Sequence, residues 1–289
     1  MIVKAAAKIN LMLDVTGILP NGYHSLFMIM QSVGCYDKVR VDRIDGNDII
    51  IVTDDERVPK DKSNIAYKAA EAFFEYNGIK EKRGVEIEIE KNIPMAAGLA
   101  GGSADGAAVI FALDKLFNTD LPLFTLCEIG EKVGADVPFS LHGGTALCTD
   151  TGGVIAPLPK LENCFVVLCK PPMDVSTVGA YRQIDEANRI RHCDKNAMLF
   201  AMKNRDFELM CRKAGNVFEQ VIEVPLRPYI KTTMKKYKAA LTLMSGSGPT
   251  VYGVFKDEKK ARECADKLRE EFDDVILTAP CEKSVEEVK

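Results

Sequence analysis

Apolar residues recur at every second position in two segments of the chain, which is the spacing of β-strands with one buried face. Residues 8–16 alternate in this way from Ile9 to Val15, and residues 85–90 read Val-Glu-Ile-Glu-Ile-Glu. Between these segments, Asn21-Gly22 predicts a turn. Further strands are predicted over 25–33, 37–44 and 48–53.

Helical segments are marked by start and stop residues instead of alternation. Ser63 is suited to cap a helix over 64–77, which Gly78 would end. A second helix is predicted over 103–117, with Asp105 in its first turn, where the helix dipole favours an acid. The remaining predicted helices are 122–133, 176–188, 195–203, 206–222, 226–237 and 257–272. The remaining predicted strands are 145–149, 165–169, 240–244, 250–255 and 274–279.

The order of these elements predicts an α+β protein rather than regular βαβ alternation. The tail of the chain reads as strand, helices, strand, strand, helix, strand, which suits a small antiparallel sheet backed by helices. The proline-containing stretch at 155–162 marks the expected boundary. We therefore expect an N-terminal mixed α/β domain over 1–158 and a C-terminal domain over 159–289.

The composition is that of an ordinary soluble globular protein, with 47% hydrophobic and 28% charged residues. A net charge of −4 argues against a dedicated nucleic-acid binder. The nine cysteines show neither CxxC pairs nor metal-ligand spacing, which favours a reducing compartment. Because the chain has no signal-peptide pattern and no apolar run of membrane-spanning length, we expect a cytoplasmic protein without a membrane partner.

The strongest chemical signal is the small-residue segment Pro94–Ala108, which follows the strand at 85–90 and opens a helix. Around Gly98, Gly101 and Gly102 the backbone is uncovered, so amide N–H groups can approach a ligand closely. Free amides and the dipole at a helix start favour a polyphosphate. The segment is neither a Walker A loop nor a GxGxxG fingerprint. A flexible connection before a closely packed helix is the structural alternative.

Asp136 is a lone acid in the apolar segment Gly134–Phe139, and a buried carboxylate needs a partner. One interpretation is a helix N-cap, since Pro138 suits an early helical position. The other is a catalytic base or the charge partner of a lysine. Lys8, at the start of an alternating strand, is the natural partner, although a lysine snorkelling from a strand end is the plainer explanation for Lys8 alone.

Three segments, taken in order, resemble the GHMP kinase superfamily, which includes galactokinase, homoserine kinase and mevalonate kinase. They are Ala5–Leu11, Pro94–Ala108 and Ser245–Thr250, the last of which alone would predict a tight turn between strands. Gly22–Leu26 and Gly134–Phe139 are similar to one branch of that superfamily. The members of this branch phosphorylate a cytidine diphosphate sugar alcohol in the non-mevalonate pathway of isoprenoid synthesis.

The resemblance runs from about residue 4 to 279 and departs from the family pattern at Ala104, where many members have a second serine. It implies two α+β domains with the active site in the cleft between them. It also implies Lys8 and Asp136 as the catalytic pair. Asp136 would accept or orient the proton of the substrate hydroxyl, and Lys8 would keep Asp136 ionised and neutralise charge on the reacting oxygens. Phosphoryl transfer depends mainly on such positioning and electrostatic stabilisation.

The same resemblance implies an ATP site. The amides from Gly98 to Ser103 would hold the ATP phosphates, and Mg²⁺ would accompany the nucleotide. Ser103 is a candidate metal ligand, and no second carboxylate ligand is evident. Lys62 and Asn64 lie near the expected adenine pocket. The full set of expected nucleotide-binding residues is Pro94, Ala97, Gly98, Leu99, Ala100, Gly101, Gly102, Ser103, Ala104, Lys62 and Asn64.

For the acceptor, the resemblance places Asn10, Tyr23 and His24 near the cytidine and its phosphates. A Tyr–His pair can stack on a pyrimidine and hydrogen-bond its edge, and Tyr181 would supply an opposing ring. The alternatives are turn residues half-buried over the sheet for the pair, and a core position for Tyr181. The full set of expected acceptor-binding residues is Asn10, Tyr23, His24, Thr177, Tyr181, Gly246, Ser247 and Gly248.

Other functions compete with phosphorylation of the sugar alcohol on its 2-hydroxyl. Another GHMP kinase, of the homoserine or mevalonate type, would not account for Tyr23-His24 and the Asp136 segment. A non-catalytic ligand sensor of the same fold would be favoured by the loss of Lys8 or Asp136, but both are present. The sequence leaves open whether the protein is a monomer or a homodimer.

Overall fold

The computed structural model describes residues 1–20 and 22–288. In this range the strands are β1 (Ile2–Ile18), β2 (His24–Arg43), β3 (Ile49–Val52), β4 (Val85–Glu90), β5 (Thr145–Asp150), β6 (Val154–Pro157), β7 (Phe165–Lys170), β8 (Gly215–Asn216), β9 (Leu241–Met244), β10 (Val251–Phe255), β11 (Asp274–Thr278) and β12 (Val285–Glu287). The α-helices are α1 (Ile65–Tyr76), α2 (Gly101–Leu116), α3 (Leu123–Glu131), α4 (Val137–His142), α5 (Thr177–Glu186), α6 (Lys195–Lys203), α7 (Phe207–Lys213), α8 (Arg227–Lys236) and α9 (Glu258–Arg269).

The first sheet is built on an antiparallel pair of long strands, β1 and β2, which contain 17 and 20 residues. Its order is β12–β1–β2–β4–β3, and β5 pairs with β2 and β6 while β8 pairs with β1. Apolar residues on its covered face pack against α1 and α2, whose phenylalanines Phe73 and Phe74 and leucine Leu113 are fully buried. The long strands thus hold α2, and the segment before it, in a fixed position.

Helices α1 and α2 approach each other closely because their contact surface is made of small residues. A methyl group on Gly106 would lie 2.8 Å from Ile65 Cγ2, which is too close for a larger residue. Gly106 therefore sets the separation of the two helices. This contact fixes the N-terminal end of α2 beside the start of α1.

The second sheet has the order β11–β7–β10–β9 and is antiparallel throughout. Helices α8 and α9 cover one face, where Ile230 and Met234 of α8 and Cys264 of α9 pack against Phe255. The expected division between residues 158 and 159 falls between β6 and β7, where the chain leaves the first sheet for the second. Strands β8 and β12 later return to the first sheet, and the division stays a prediction.

Several predicted elements have different bounds in the structure. The strands predicted at 25–33 and 37–44 form one continuous strand, β2. The helix predicted over 206–222 is wrong beyond Lys213, where the chain turns into β8 and a 3₁₀ helix at Val217–Gln220. The reason is Asn216, whose amide donates to Met244 O and Gly246 O and so pulls the backbone out of helical geometry.

The start of each of the first two helices also differs from the prediction. Helix α1 is capped by Asn64 instead of Ser63, because Asn64 Oδ1 accepts the Ala66 amide at 2.8 Å. Helix α2 begins at Gly101, two residues earlier than predicted, so Asp105 lies beyond its first turn. The turn predicted at Asn21-Gly22 involves Asn21, which lies outside the described residues. None of the described helices is long and apolar enough to cross a membrane.

Candidate active site

Three segments that are far apart in the sequence meet at a cavity of about 650 Å³. Strand β1 contacts the segment Pro94–Ala108, here called the glycine-rich segment, because the Lys8 amide donates to Leu99 O at 3.0 Å. The turn between β9 and β10 contacts the same segment, because the Ser245 hydroxyl donates to Gly98 O at 2.9 Å. The walls of the cavity are thus contributed by both halves of the chain.

Most residues predicted for the site line this cavity. They are Lys8, Asn64, Pro94, Ala97, Gly98, Leu99, Ala100, Gly101, Gly102, Ser103, Asp136, Thr177, Tyr181, Gly246 and Ser247. The other predicted residues are not part of its lining; they are Asn10, Tyr23, His24, Lys62, Ala104 and Gly248. Lys62 is exposed and lies 3.8 Å from Glu71, whereas Ala104 is buried within α2. Gly248, at φ +94°, is confined to the turn by Met244, which a Cβ would overlap.

Lys8 and Asp136 form an ion pair at the wall of the cavity, with 3.6 Å between Lys8 Nζ and Asp136 Oδ2. The Lys8 side chain is 6% exposed and that of Asp136 is 29% exposed, so the carboxylate is the group that faces the open space. Asp136 precedes α4 but makes no capping hydrogen bond with its side chain. Of the two interpretations of this acid, the geometry therefore matches the charge partner of a lysine.

Asn10 fixes the lysine from behind. Its Oδ1 atom accepts a hydrogen bond from Lys8 Nζ at 2.8 Å and another from the Gly246 amide at 3.0 Å. Asn10 is fully buried, and its Nδ2 atom has no partner among the described residues. In this arrangement Asn10 joins β1 to the turn after β9 and holds the ammonium group next to Asp136.

The glycine-rich segment presents backbone amides to the cavity. Ala100 adopts a left-handed conformation with φ +59° immediately before α2, and within the described chain no side chain caps the helix there. The first amides of α2, from Gly101 to Ser103, are therefore available to a ligand. Gly98 has φ +72°, a conformation that favours glycine, and lies so close to Ser245 O that a Cβ would overlap it.

Metal-binding groups are sparse at the cavity. Among residues 1–20 and 22–288, no group of three or more His, Cys, Asp and Glu side chains is arranged to hold a metal ion. The Ser103 side chain lines the cavity on the first turn of α2, close to Gly134. Its hydroxyl is a side-chain oxygen of the glycine-rich segment at the cavity wall.

Two aromatic rings stack on each other beside the cavity, and one of them, Tyr181, lines it. His24 stacks on Tyr181, with 4.6 Å between ring centroids and 23° between planes, and its Nε2 atom lies 2.7 Å from Asp185 Oδ1. Burial, with a smaller contribution from the Asp136 carboxylate, raises the pKa of Tyr181. The Tyr181 hydroxyl is therefore neutral. The Tyr181 side chain also lines the cavity. Tyr23, with 67% exposure, lies at the surface next to His24.

Sequence reasoning missed a buried cluster beneath the glycine-rich segment. Lys91 Nζ contacts Asp37 Oδ2 and lies 2.7 Å from Asp105 Oδ2, and all three side chains are at most 7% exposed. Burial, together with the nearby Asp37 carboxylate and against the attraction of Lys91, raises the pKa of Asp105 to about 7. Burial lowers the pKa of Lys91, but the two carboxylates outweigh it and raise that pKa. Lys91 is therefore charged.

Strand alternation contains a signal for this cluster. Val39 and Val41 face the covered side of β2, and Ile87 and Ile89 face the same side of β4. Asp37 precedes the first pair by two residues, and Lys91 follows the second by two residues, so period-two alternation places both side chains inward. Two inward charges of opposite sign on neighbouring antiparallel strands predict a buried pair.

Comparison with known proteins identifies the family. The GHMP kinases N terminal domain family matches residues 64–144, and the GHMP kinases C terminal family matches residues 199–274. A 4-diphosphocytidyl-2-C-methyl-D-erythritol kinase of Geobacillus kaustophilus is 43% identical over 277 residues, covering 95% of this chain and 94% of the relative. The chain belongs to the 4-diphosphocytidyl-2-C-methyl-D-erythritol kinase family of GHMP kinases. A relative with the same name from Clostridium botulinum is 41% identical, covering 96% of this chain and 98% of the relative.

Solved structures support the same family. A crystal structure of a 4-(cytidine 5'-diphospho)-2C-methyl-D-erythritol kinase superposes with a TM-score of 0.77 at 30% identity, covering 97% of this chain and 99% of the other. A homoserine kinase of Cytophaga hutchinsonii, with a TM-score of 0.79 at 20% identity, shares the fold, covering 99% of this chain and 96% of the other. The predicted α+β, two-domain GHMP kinase fold and the predicted kinase activity are confirmed.

Proposed function

We propose that this protein transfers the γ-phosphoryl group of ATP to the 2-hydroxyl of 4-diphosphocytidyl-2-C-methyl-D-erythritol. This is a step of isoprenoid precursor synthesis by the non-mevalonate pathway. The relatives at 40–43% identity carry the name of this kinase. The observation that carries the proposal is the Lys8–Asp136 ion pair, which lies in the same cavity as the uncapped amides of α2. A base, a cation and a phosphate site in one cavity are what phosphoryl transfer to an alcohol requires.

Asp136 is the proposed base. Its carboxylate accepts the proton of the acceptor hydroxyl as the oxygen attacks the γ-phosphorus, and the bond to the ADP oxygen breaks. Lys8, 3.6 Å from this carboxylate, neutralises the charge that develops on the reacting oxygens. Asn10, whose Oδ1 atom accepts from Lys8 Nζ, orients that ammonium and is a positioning residue in this scheme.

The nucleotide is proposed to bind through the amides between Gly98 and Ser103. Because these amides are uncapped and begin a helix, they supply donors and a positive dipole end for the phosphates. The Asn64 side chain lines the same cavity. Its Oδ1 atom already accepts from the Ala66 amide, and its Nδ2 atom already donates to Pro59 O. We therefore expect Asn64 to shape the adenine pocket rather than to hydrogen-bond the base. Lys62 remains a prediction for its outer edge.

The site fits a magnesium ion that is bound mainly by the ATP phosphates rather than by a set of protein ligands. Mg²⁺ commonly keeps several waters and binds through few protein oxygens plus substrate phosphates. Ser103 supplies one such oxygen on the first turn of α2. We propose that Ser103 would hold the ion that accompanies ATP; when bound, this ion would neutralise charge on the phosphates. Asp136 accepts the proton of the acceptor hydroxyl, and Lys8 is the cation beside it.

The acceptor is proposed to occupy the other end of the cavity, between Tyr181 and the turn after β9. Ser247 and Thr177 line this end, and their hydroxyls lie 3.2 Å apart, so both can turn toward a diphosphate. Because His24 already stacks on Tyr181, a cytosine ring does not fit between those two rings. The exposed ring of Tyr23 is the proposed cover for the base, with His24 at its edge.

One experiment tests the proposed function directly. The protein is incubated with ATP, magnesium and one of three acceptors: 4-diphosphocytidyl-2-C-methyl-D-erythritol, homoserine or mevalonate. We expect ADP and a phosphorylated product, detected by mass spectrometry, with the first acceptor. Product formed only from homoserine or mevalonate would assign the protein to another GHMP activity. ATP binding without any product would indicate a sensor.

Tyr23→Ala is expected to raise the KM for the cytidylated acceptor by about ten- to a hundredfold, because stacking a base on an aromatic ring contributes about 1–3 kcal/mol. The KM for ATP should not change, since the glycine-rich segment binds it separately. Steady-state kinetics with each substrate varied measures both. Tyr76→Ala is the control, because Tyr76 is also an exposed tyrosine but lies at the end of α1. A rise in the KM for ATP alone would place Tyr23 in the nucleotide pocket.

We also propose that the protein works in the cytoplasm. All nine cysteines are free thiols in the described chain, as expected in a reducing compartment. Its proposed partners are ATP and the cytidine diphosphate sugar alcohol.

A further inference from the structure

The buried cluster of Asp37, Lys91 and Asp105 joins three elements beneath the glycine-rich segment. Asp37 belongs to β2, Lys91 follows β4, and Asp105 belongs to α2. The contact between Lys91 and Asp105 spans 2.7 Å and connects the residues just before the glycine-rich segment to α2. Lys91 and Asp105 both line the cavity that we assign to ATP.

The two carboxylates of the cluster share Lys91, and Asp37 also binds backbone amides. Asp37 Oδ1 accepts the amides of Asn92 at 2.6 Å and Ile93 at 2.7 Å, and its Oδ2 contacts Lys91. Asp37 therefore fixes the backbone just before the glycine-rich segment. Asp105 uses Oδ2 for Lys91, and its buried Oδ1 atom has no partner in the described chain. Asp105 thus accepts a hydrogen bond from Lys91 through Oδ2.

The lysine transmits this contact to the helix start. A methyl group on Gly101 would lie 3.2 Å from Lys91 Nζ and 3.1 Å from Ile93 Cγ2, so the ammonium packs against the first residue of α2. Without Asp105, Lys91 would retain only Asp37 and would be free to shift toward it. The amides that follow Gly101 would lose the support beneath them.

We propose that Asp105 is a positioning residue for the nucleotide: through Lys91 it holds the start of α2 in the position that presents its amides to the ATP phosphates. This inference rests on the proposed function, since it assigns a role in the same ATP site. A misplaced start of α2 weakens ATP binding, while Lys8 and Asp136, which lie on other elements, remain in place. We therefore expect a change at Asp105 to raise the KM for ATP.

The test compares Asp105→Ala with Asp105→Asn. Alanine cannot accept a hydrogen bond from Lys91, and we expect the KM for ATP to rise about tenfold, which corresponds to about 1.4 kcal/mol. At saturating ATP, kcat and the KM for the acceptor should stay close to the wild-type values. Asparagine keeps an oxygen for Lys91, so Asp105→Asn should restore a near wild-type KM for ATP.

Asp114→Ala provides the matched control. Asp114 is also a buried acid of α2, and its Oδ1 atom accepts from the Thr119 hydroxyl and the Leu121 amide, away from the ATP site. Its loss should lower the melting temperature without changing the KM for ATP. If Asp105→Ala behaves in the same way, Asp105 is purely structural and the proposal is overturned.

Two further outcomes are separable. If Asp105→Ala does not fold, Asp105→Leu fills the space without accepting a hydrogen bond and must show the same rise in the KM for ATP; a wild-type KM for this variant overturns the inference. If the wild-type protein itself turns over no ATP with the cytidylated acceptor, the proposed function fails. In that case calorimetric titration with ATP still decides whether Asp105→Ala weakens nucleotide binding relative to Asp105→Asn.

Discussion

Asp136→Asn should lower the turnover number by about a thousandfold, the middle of the range for loss of a general base. Asparagine has nearly the same shape as aspartate but cannot accept the proton of the acceptor hydroxyl. The chain should still fold, because the Asp136 side chain makes no capping hydrogen bond that the structure depends on. ATP affinity should be close to that of the wild type, since the amides from Gly98 to Ser103 are unaffected. Rapid-mix kinetics and calorimetric titration with ATP measure these two quantities.

The control for this substitution is Asp266→Asn. Asp266 is an exposed acid of α9 that pairs with Arg269 at 2.8 Å, on the far side of the second sheet from the catalytic pair. The Asp266→Asn variant should retain full activity. Turnover of Asp136→Asn within a few-fold of the wild type would exclude Asp136 as the base. Loss of folding in this variant would instead favour a structural role for the acid.

Local patterns predicted the elements whose sequence signals are self-contained. Alternation located β4 at Val85–Glu90 with its bounds unchanged. It also located β1, although the strand runs from Ile2 to Ile18, because the alanines at its start carry no alternation. The bulges in the pairing of β1 with β2 shift the register, so a simple period of two fails over the full length.

Long-range contacts decided the remaining elements. Gly215 is a local stop signal just after α7 ends at Lys213, but the turn into β8 is set by the Asn216 side-chain amide, which donates to the turn after β9. The same limit applies to the site. The resemblance to a family brought Lys8 and Asp136 together, but the position of Asn10 behind Lys8 depends on packing between β1 and Gly246. A buried amide and a ligand-facing amide look alike in a sequence.

Gly98→Ala should lower activity with ATP by about a hundredfold, the size of effect that a misplacement of about 1 Å can have. The new methyl group would overlap Ser245 O, so the glycine-rich segment must move away from the turn that it contacts. The positive φ of +72° adds strain for alanine. We expect the free energy of unfolding to fall by about 2–5 kcal/mol, from 1–3 for overpacking and 1–2 for the left-handed conformation. Urea denaturation measures the stability, and kinetics with ATP varied measures the site.

Gly78→Ala separates the strain from the displacement. Gly78 has a similar φ of +64°, but a methyl group there would meet no atom within 4 Å. It should lose only the conformational part, about 1–2 kcal/mol, and keep the wild-type KM for ATP. If the two variants lose equal stability and both bind ATP normally, the contact between Gly98 and Ser245 is not what positions the segment. If Gly98→Ala alone loses ATP binding, the joint between the glycine-rich segment and the Ser245 turn is part of the nucleotide site.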